Sequence, residues 1–479
     1  MFVLTIRYTI LYIIMEILKK EVFWLVKDLT RGSPAKMILS FCMPLMIGQI
    51  FQQLYNMVDS IIVGRFAGTQ ELSAVGSTGS LSFMVIGFVL GMCSGFSIPV
   101  SQSFGEGDYK KLRKYFVNGI YLTLGISMVL TVVTVSLTGP VLKIMNTPDD
   151  IFDMAYTYIS TVFAGLLATF FYNFFAGIMR ALGDSRTPLY LLIFSSLVNV
   201  ALDLIFVIVF KMSVFGVAIA TVIAQAVSSV LAFVIILKKF PILHATKDEK
   251  ALNVKLCGRL LYIGLPMALQ FSVTAVGSIM LQSAVNGLGS DAIAAVTVAG
   301  KIQLMLVLPC ETVGLTMATY CGQNLGARKL DRIKTGMVKS IIIALIYCAF
   351  AALLAYFAGE SLSLLFLDSS QSEVIALSGR FLKTCAYFYP ILSVLYIYRN
   401  ALQGLGYSIP AMLAGVFELF ARGSMGLFVI PAFGYGAVCF AHPSAWIAAD
   451  IFLIPAYYVA FHIVSKKLKQ KSTVNAVES

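Results

Sequence analysis

Residues Met37–Gly64 read MILSFCMPLMIGQIFQQLYNMVDSIIVG, a run of 28 residues with a single charge, Asp59. A helix of that length crosses the ~30 Å hydrocarbon core of a bilayer with some tilt. Its polar residues Gln49, Gln52, Gln53, Asn56, Asp59 and Ser60 recur every three to four positions, so they share one stripe of the helix. Lipid offers such a stripe no partners, so it is predicted to face protein or a water-filled cavity. Asp59 reads either as a functional acid or as a neutral, hydrogen-bonded packing residue. The cost of placing an acid at that depth favours function.

The rest of the chain extends the same constraint. Hydrophobic residues make up 59% of the 479 and charged ones 12%, against about 25% in soluble proteins. The fold class predicted is an all-α polytopic membrane protein. Apolar runs give twelve candidate spans near 37–62, 75–101, 115–138, 154–178, 188–210, 214–237, 258–283, 293–319, 336–358, 376–399, 410–431 and 436–463. A charged stretch from Lys238 to Arg259 separates two groups of six. The layout expected is an N-terminal segment 1–34, an N-lobe 35–237, a linker 238–257, a C-lobe 258–465 and a basic tail 466–479. Residues 1–14 are apolar with Arg7 but short for a span, and carry no functional assignment.

Charge sets the orientation. With both ends on one side, that side holds 28 of the 35 Lys and Arg residues and the other holds 5: Arg65, Lys143, Lys211, Arg380 and Lys383. In this count Arg399 belongs to the basic side, while Lys301 and Arg422 lie in or at the edge of spans. The positive-inside rule then places both termini in the cytoplasm, in a plasma (cell inner) membrane. The +12 net charge is explained by topology and anionic lipid, so no nucleic-acid partner is needed. The eight cysteines sit mostly in apolar runs without metal-ligand spacing and read as small core residues.

The two groups of six repeat one another. FAGTQELSAVG (Phe66–Gly76) matches GLGSDAIAAVT (Gly287–Thr297) at an offset of 221, and Gln102 and Gly105 match Gln323 and Gly326 at the same offset. RALGDSRTP (Arg180–Pro188) matches QGLGYSIP (Gln403–Pro410) with one gap. Pro44 and Pro266 open the corresponding first helices. Such a chain is predicted to form two six-helix bundles related by a pseudo-two-fold axis along the membrane normal, with a substrate path between them.

Intramembrane acids are few: Asp59, Asp203, Glu311, Glu418 and Asp450. The fifth span carries Ser195, Asn199 and Asp203 at helical spacing, the sixth carries Thr221, Gln225 and Ser228, and the fourth carries Asn173. Asp59, Asn199, Asp203 and Thr221 offer two carboxylates and two neutral oxygens. That set suits Na⁺, which needs several oxygens in place of its water, and it equally suits a proton shared by buried carboxylates. A network that only locks the bundle is the competing reading. In the second half the first helix carries Gln270, Thr274, Ser278 and Gln282, and Met280 or Leu281 falls where Asp59 would repeat. Glu418 and Arg422 are spaced for an intrahelical ion pair, Glu311 has no local partner, and Asp450 with His442 could form a minor polar contact. Gln49, Gln52, Asn56, Gln270, Thr274, Glu311 and Glu418 are the candidate lining of a substrate cavity.

The sequence contains no Walker A loop and no HExxH, GxSxG or metal cluster. The chain is therefore read as a non-enzyme without cofactors, whose uphill transport would draw on an ion gradient. A monomer is expected.

Taken in order, several motifs resemble the multidrug and toxic compound extrusion (MATE) family. They are the proline-bearing first helix ending Val58-Asp59-Ser60…Gly64, Gln102-Ser-Phe-Gly105, Arg180-Ala-Leu-Gly-Asp-Ser-Arg-Thr-Pro188, Asn199…Asp203, Gly322-Gln-Asn-Leu-Gly-Ala327 and Gln403-Gly-Leu-Gly406…Pro410. The resemblance runs from about Leu29 to Leu468. It implies two six-helix lobes that export cationic, often aromatic compounds in exchange for H⁺ or Na⁺. It assigns Asp59, Asn199, Asp203, Thr221 and Asn173 to an N-lobe cation site similar to that of the DinF-like subgroup. The NorM-like pattern of acids in the seventh and tenth helices is absent, since Gln270 stands in the seventh and Ile375–Asn400 holds no acid. A lipid-linked precursor flippase of the same superfamily is the alternative function.

Overall fold

The computed structural model describes residues 27–478, so the apolar run at 1–14 lies outside the described residues. Among the described residues every regular element is helical. Ten helices are long and apolar enough to cross a membrane singly, and two bent pairs bring the number to twelve if each is one span. The first six spans are Pro34–Ile62, Gly79–Glu106, Tyr109–Ile144, Asp149–Ala164 with Leu166–Ala181, Arg186–Leu204 and Ser213–Lys239. The second six are Val254–Asn286, Ser290–Gly326, Leu330–Ser363, Ser372–Ala386 with Tyr389–Gly404, Ser408–Ser424 and Tyr435–Glu478.

The bends fall in the fourth and tenth spans, at 48° and 55°, so even the irregularities repeat. Several helices outrun their expected bounds, the third reaching from Tyr109 to Ile144 instead of 115–138. Apolar runs end where lipid ends, whereas helical hydrogen bonding continues into the polar layer. Asp108 caps that third helix by accepting from Lys111 N at 2.9 Å.

The weak sequence matches mark places where the backbone must leave right-handed space. Gly68 and Gly289 have φ of +139° and +98°, and Gly183 and Gly406 have +88° and +86°. These conformations cost a residue with a Cβ far more than glycine, so the repeat kept the glycines where flanking sequence diverged.

Each half has its own apolar core, and each core takes in the start of the other half's first span. Ile38, Phe41 and Cys42 pack with second-half residues such as Met317 and Ile333, while Leu260 and Ala268 of the seventh span join the first-half core. The second and seventh spans cross backbone to backbone. A methyl group on Gly91 or Gly95 would collide with the main chain of Met267–Ala268 or Gly264. Small residues permit that approach where lipid supplies no hydrophobic drive for association.

The linker between the halves is docked rather than free. Arg113 grips Glu249 with two bonds of 2.6 and 2.7 Å, Tyr121 Oη donates to Lys250 O at 2.9 Å, and Asn118 Oδ1 accepts from Asn253 N at 2.8 Å. The Arg113 guanidinium holds the Glu249 carboxyl down at about 2 from an ordinary 4.5. A depressed acid stabilises the fold above its unfolded pKa, and that contribution disappears as pH falls through the folded value. The melting-temperature gap between the natural protein and Glu249→Gln is therefore expected to be full above about pH 5 and to close as pH approaches 2. A second test concerns packing within one half. Gly314 lies against the Tyr396 carbonyl, where a Cβ would come within 2.8 Å, whereas Gly300 on the same helix has nothing within 4 Å. Gly314→Ala should lower stability by about 1–3 kcal/mol, measured by thermal unfolding in detergent, while Gly300→Ala should not.

Candidate functional site

The first, fifth and sixth spans bring Asp59, Asn199, Asp203 and Thr221 together. The two carboxyl groups face one another at hydrogen-bonding range. Asn199 and Asp203 are buried, at 1% and 0% exposure, and Asp59 is half-buried. Oriented by its neighbours, the Asn199 amide donates to Tyr55 Oη at 2.6 Å and to Asp203 Oδ2 at 3.1 Å, and accepts from Thr221 N at 3.1 Å. Tyr55 lies in hydrogen-bond reach of Thr221, whose own hydroxyl donates to Val217 O at 3.1 Å. Tyr158 of the fourth span stands close to both acids.

Two features make this cluster chemically incomplete. Asp59 Oδ1 and Asp203 Oδ1 are buried without a hydrogen-bond partner. Among the described residues, no basic side chain acts on either acid. Two touching carboxylates without a counter-charge call for a proton between them or a small cation against them. The helices add a further irregularity there. The first span passes into a π-helical turn, Val63–Ala67, just after Asp59, and the fifth does so at Ile205–Val209, just after Asp203. Such turns interrupt the regular ladder and recur at functional positions.

The polar stripe of the first span divides. Tyr55 and Asp59 turn toward the fifth and sixth spans, whereas Asn56 and Ser60 are exposed, with Gln52 Nε2 donating to Asn56 Oδ1 at 3.4 Å. Gln49 is half-buried. The Asn173 amide donates to Thr169 O at 2.8 Å within its own helix. Tyr55 and Tyr158 were not singled out from the sequence. Tyr55 lies one turn before Asp59, and that i, i+4 spacing was the available signal.

The second half builds a different polar core. Glu418 accepts from Arg399 of the tenth span and, at 3.0 Å, from Arg422 one turn along its own helix. Arg399, counted with the basic side at the end of the expected span 376–399, lies inside the helix Tyr389–Gly404 at 7% exposure and is paired there. Its position close to the end of an apolar run made it read as a boundary charge. Gln403 Nε2 donates to Gln270 Oε1 at 3.0 Å, and Thr274 Oγ1 donates to Gln270 O at 3.0 Å. Glu311 is half-buried, with the Arg399 charge acting on it. Asp450 lies near Arg399 and Glu418, while His442 packs against the Phe381 and Trp446 rings. No group of three or more metal-ligating His, Cys, Asp or Glu side chains occurs among the described residues, and all eight cysteines are buried and free.

The sequence matches the MatE family model over residues 44–205 and again over 266–423, one segment in each half. The "Probable multidrug resistance protein YpnP" of Bacillus subtilis is 28% identical over 384 residues, covering 79% of this chain and 84% of that protein. The "Probable multidrug resistance protein NorM" of Thermotoga maritima is 21% identical over 443 residues, covering 90% and 92%. Among solved structures, a MATE crystallised in complex with MaL6 superposes with a TM-score of 0.85 at 22% identity, covering 94% of this chain and 100% of that one. An outward-facing multidrug resistance MATE family transporter superposes with a TM-score of 0.84 at 22% identity, covering 91% and 98%.

The two acids of the second half should part company under mutation. Glu418→Gln leaves two buried guanidinium groups without their shared carboxylate and is expected to cost about 3–5 kcal/mol in thermal unfolding. Glu311→Gln, which breaks no such pairing, should stay within about 0.5 kcal/mol.

Proposed function

The chain belongs to the MatE family of membrane transporters, and we propose that it is a secondary active exporter of cationic, aromatic drugs or toxic metabolites in exchange for H⁺ or Na⁺. It works as a monomer in the cell inner membrane with both termini in the cytoplasm. The observation that carries the coupling is the contact of Asp59 with Asp203, each with one buried oxygen unpartnered and, among the described residues, no basic side chain acting on either.

In this reading the coupling ion enters from outside and completes the cluster, either as a proton shared by the two carboxyl groups or as Na⁺ against the Asp59, Asp203, Asn199 and Thr221 oxygens. Removing the repulsion lets the first and fifth spans pack more closely. That repacking lowers the affinity for a cationic substrate and favours its release outside. The ion leaves toward the cytoplasm, the acids repel again, and the substrate-binding state returns. A ligand shifts only an equilibrium whose states it binds differently, so ion and drug must act on the same pair of conformations.

The substrate path runs between the halves. In this reading Asn56 and Gln52 of the first span, and Gln270, Thr274 and Glu311 of the second half, would line it. Relatives named as multidrug resistance proteins support this substrate class. Ethidium efflux from everted vesicles, energised by either a pH gradient or a Na⁺ gradient, tests the reading and selects the ion. Asp59→Asn should reduce efflux to the level of vesicles lacking the protein while expression is retained. Full efflux in that variant would remove Asp59 from the coupling step.

A further inference from the structure

The two halves meet most tightly at the end that carries the basic loops, and they do so through the repeat itself. Gln102 Nε2 of the second span donates across to Gly404 O of the second half at 2.9 Å. Its repeat partner Gln323 Nε2, on the eighth span, donates across to Ala181 O of the first half at 2.8 Å. Ala181 and Gly404 are themselves counterparts in the repeat, each followed by Leu-Gly. The same symmetry governs the contact beneath. A methyl group on Gly105 would collide with the Gln323 carbonyl, and one on Gly326 would collide with the Gln102 carbonyl. The helix ends thus cross at glycines, and that close approach brings each glutamine within reach of the opposite turn.

One further element ties the halves together at this end. The strap Leu29–Gly32, just before the first span, lies over the second half. Leu29 N donates to Gln323 Oε1 at 3.0 Å, so a single amide joins the strap, the eighth span and the first-half turn. Arg332 donates through Nη1 to Gly32 O at 2.8 Å and through Nη2 to Leu29 O at 3.1 Å, while its Nε is fixed by Asn324 Oδ1 at 3.0 Å. Lys329 Nζ adds a bond to Thr30 O at 2.8 Å. Leu29, Gln323 and Asn324 are fully buried. Beyond the strap runs the helix Pro34–Ile62, 29 residues or about 43 Å long, with Asp59 in its last turn.

We propose that Gln102 and Gln323 are the positioning residues of an inner gate, and that the strap, tied down by Arg332, mechanically links this gate to the helix that carries Asp59. The link to Asp59 rests on the exporter reading above, whereas the gate rests on the cross-half bonds alone. Opening toward the cytoplasm must break both glutamine bonds and separate Gly105 from Gly326. Movement of the first span at Asp59 reaches the gate along the helix Pro34–Ile62, which continues past Pro44, and through a strap bonded to the other half. The cavity of about 440 Å³ at this end, lined by Arg31, Gly105, Gly326 and Lys329 among others, lies on the side of the gate that faces the basic loops.

The test uses the full chain in lipid, spin-labelled at Lys110→Cys and Asp331→Cys, two exposed positions one repeat apart. Pulsed dipolar spectroscopy reads the inter-label distance, and thermal unfolding confirms that each variant is folded. Gln102→Leu, Gln323→Leu and Arg332→Gln should each shift the closed-to-open ratio by about fivefold or more toward the longer distance, the factor expected for a lost buried hydrogen bond. Gly326→Ala removes no side-chain bond, yet it should open the gate as strongly because its methyl opposes main chain. Folded variants that keep the wild-type distance distribution would overturn the gate. Ethidium efflux by Asp59→Asn is measured separately, so a failure of the coupling at Asp59 is distinguished from a failure of the gate.

Discussion

The arrangement depends on two carboxylates held against each other where lipid surrounds the bundle. Asp59 and Asp203 touch, no basic side chain acts on either among the described residues, and the Asn199 amide donates to one Asp203 oxygen. Mutual repulsion in a medium of low dielectric makes that contact conditional on a proton or cation. A permanent structural ion pair would not be conditional, and the other half supplies the comparison. There, Glu418 sits between Arg399 and Arg422 and is neutralised by the protein itself. The same scaffold therefore carries an acid pair awaiting a charge in one half and an acid already furnished with two in the other.

This asymmetry is laid over close structural symmetry. Paired glycines with positive φ, bent fourth and tenth spans and reciprocal glutamine bonds all follow the repeat. The first-span acid is the position that abandons it. Met280 or Leu281 stands where the second half would repeat Asp59. In the proposed exporter, a two-fold frame gives two lobes about a common interface, and the departure at Asp59 would let one lobe sense the ion.

Much of this was legible in the sequence, for physical reasons. Asp59, Asn199, Asp203 and Thr221 stood out because polar side chains are costly in apolar helices, and helical spacing placed them on single faces. The number of spans followed from hydropathy. The bend between Ala164 and Leu166 did not, because one glycine inside an apolar run has no distinctive signature. Tyr55 was passed over since tyrosine is ordinary in membrane helices, and only its turn-spacing to Asp59 set it apart. Arg399, last in its expected span, reads as a boundary charge because hydropathy fades at a helix end several residues before the helix does. The exchange of helix starts between cores depends on three-dimensional packing that no periodicity encodes.

If drug and ion act on one conformational equilibrium through Asp59 and Asp203, drug affinity must depend on the ion. Equilibrium binding of a fluorescent cationic drug to the purified transporter, across pH and Na⁺ concentration, measures that dependence. Affinity should weaken as protons or Na⁺ occupy the site, and Asp59→Asn should lose the effect. An unchanged ion dependence in the folded Asp59→Asn protein would contradict coupling through this pair of acids.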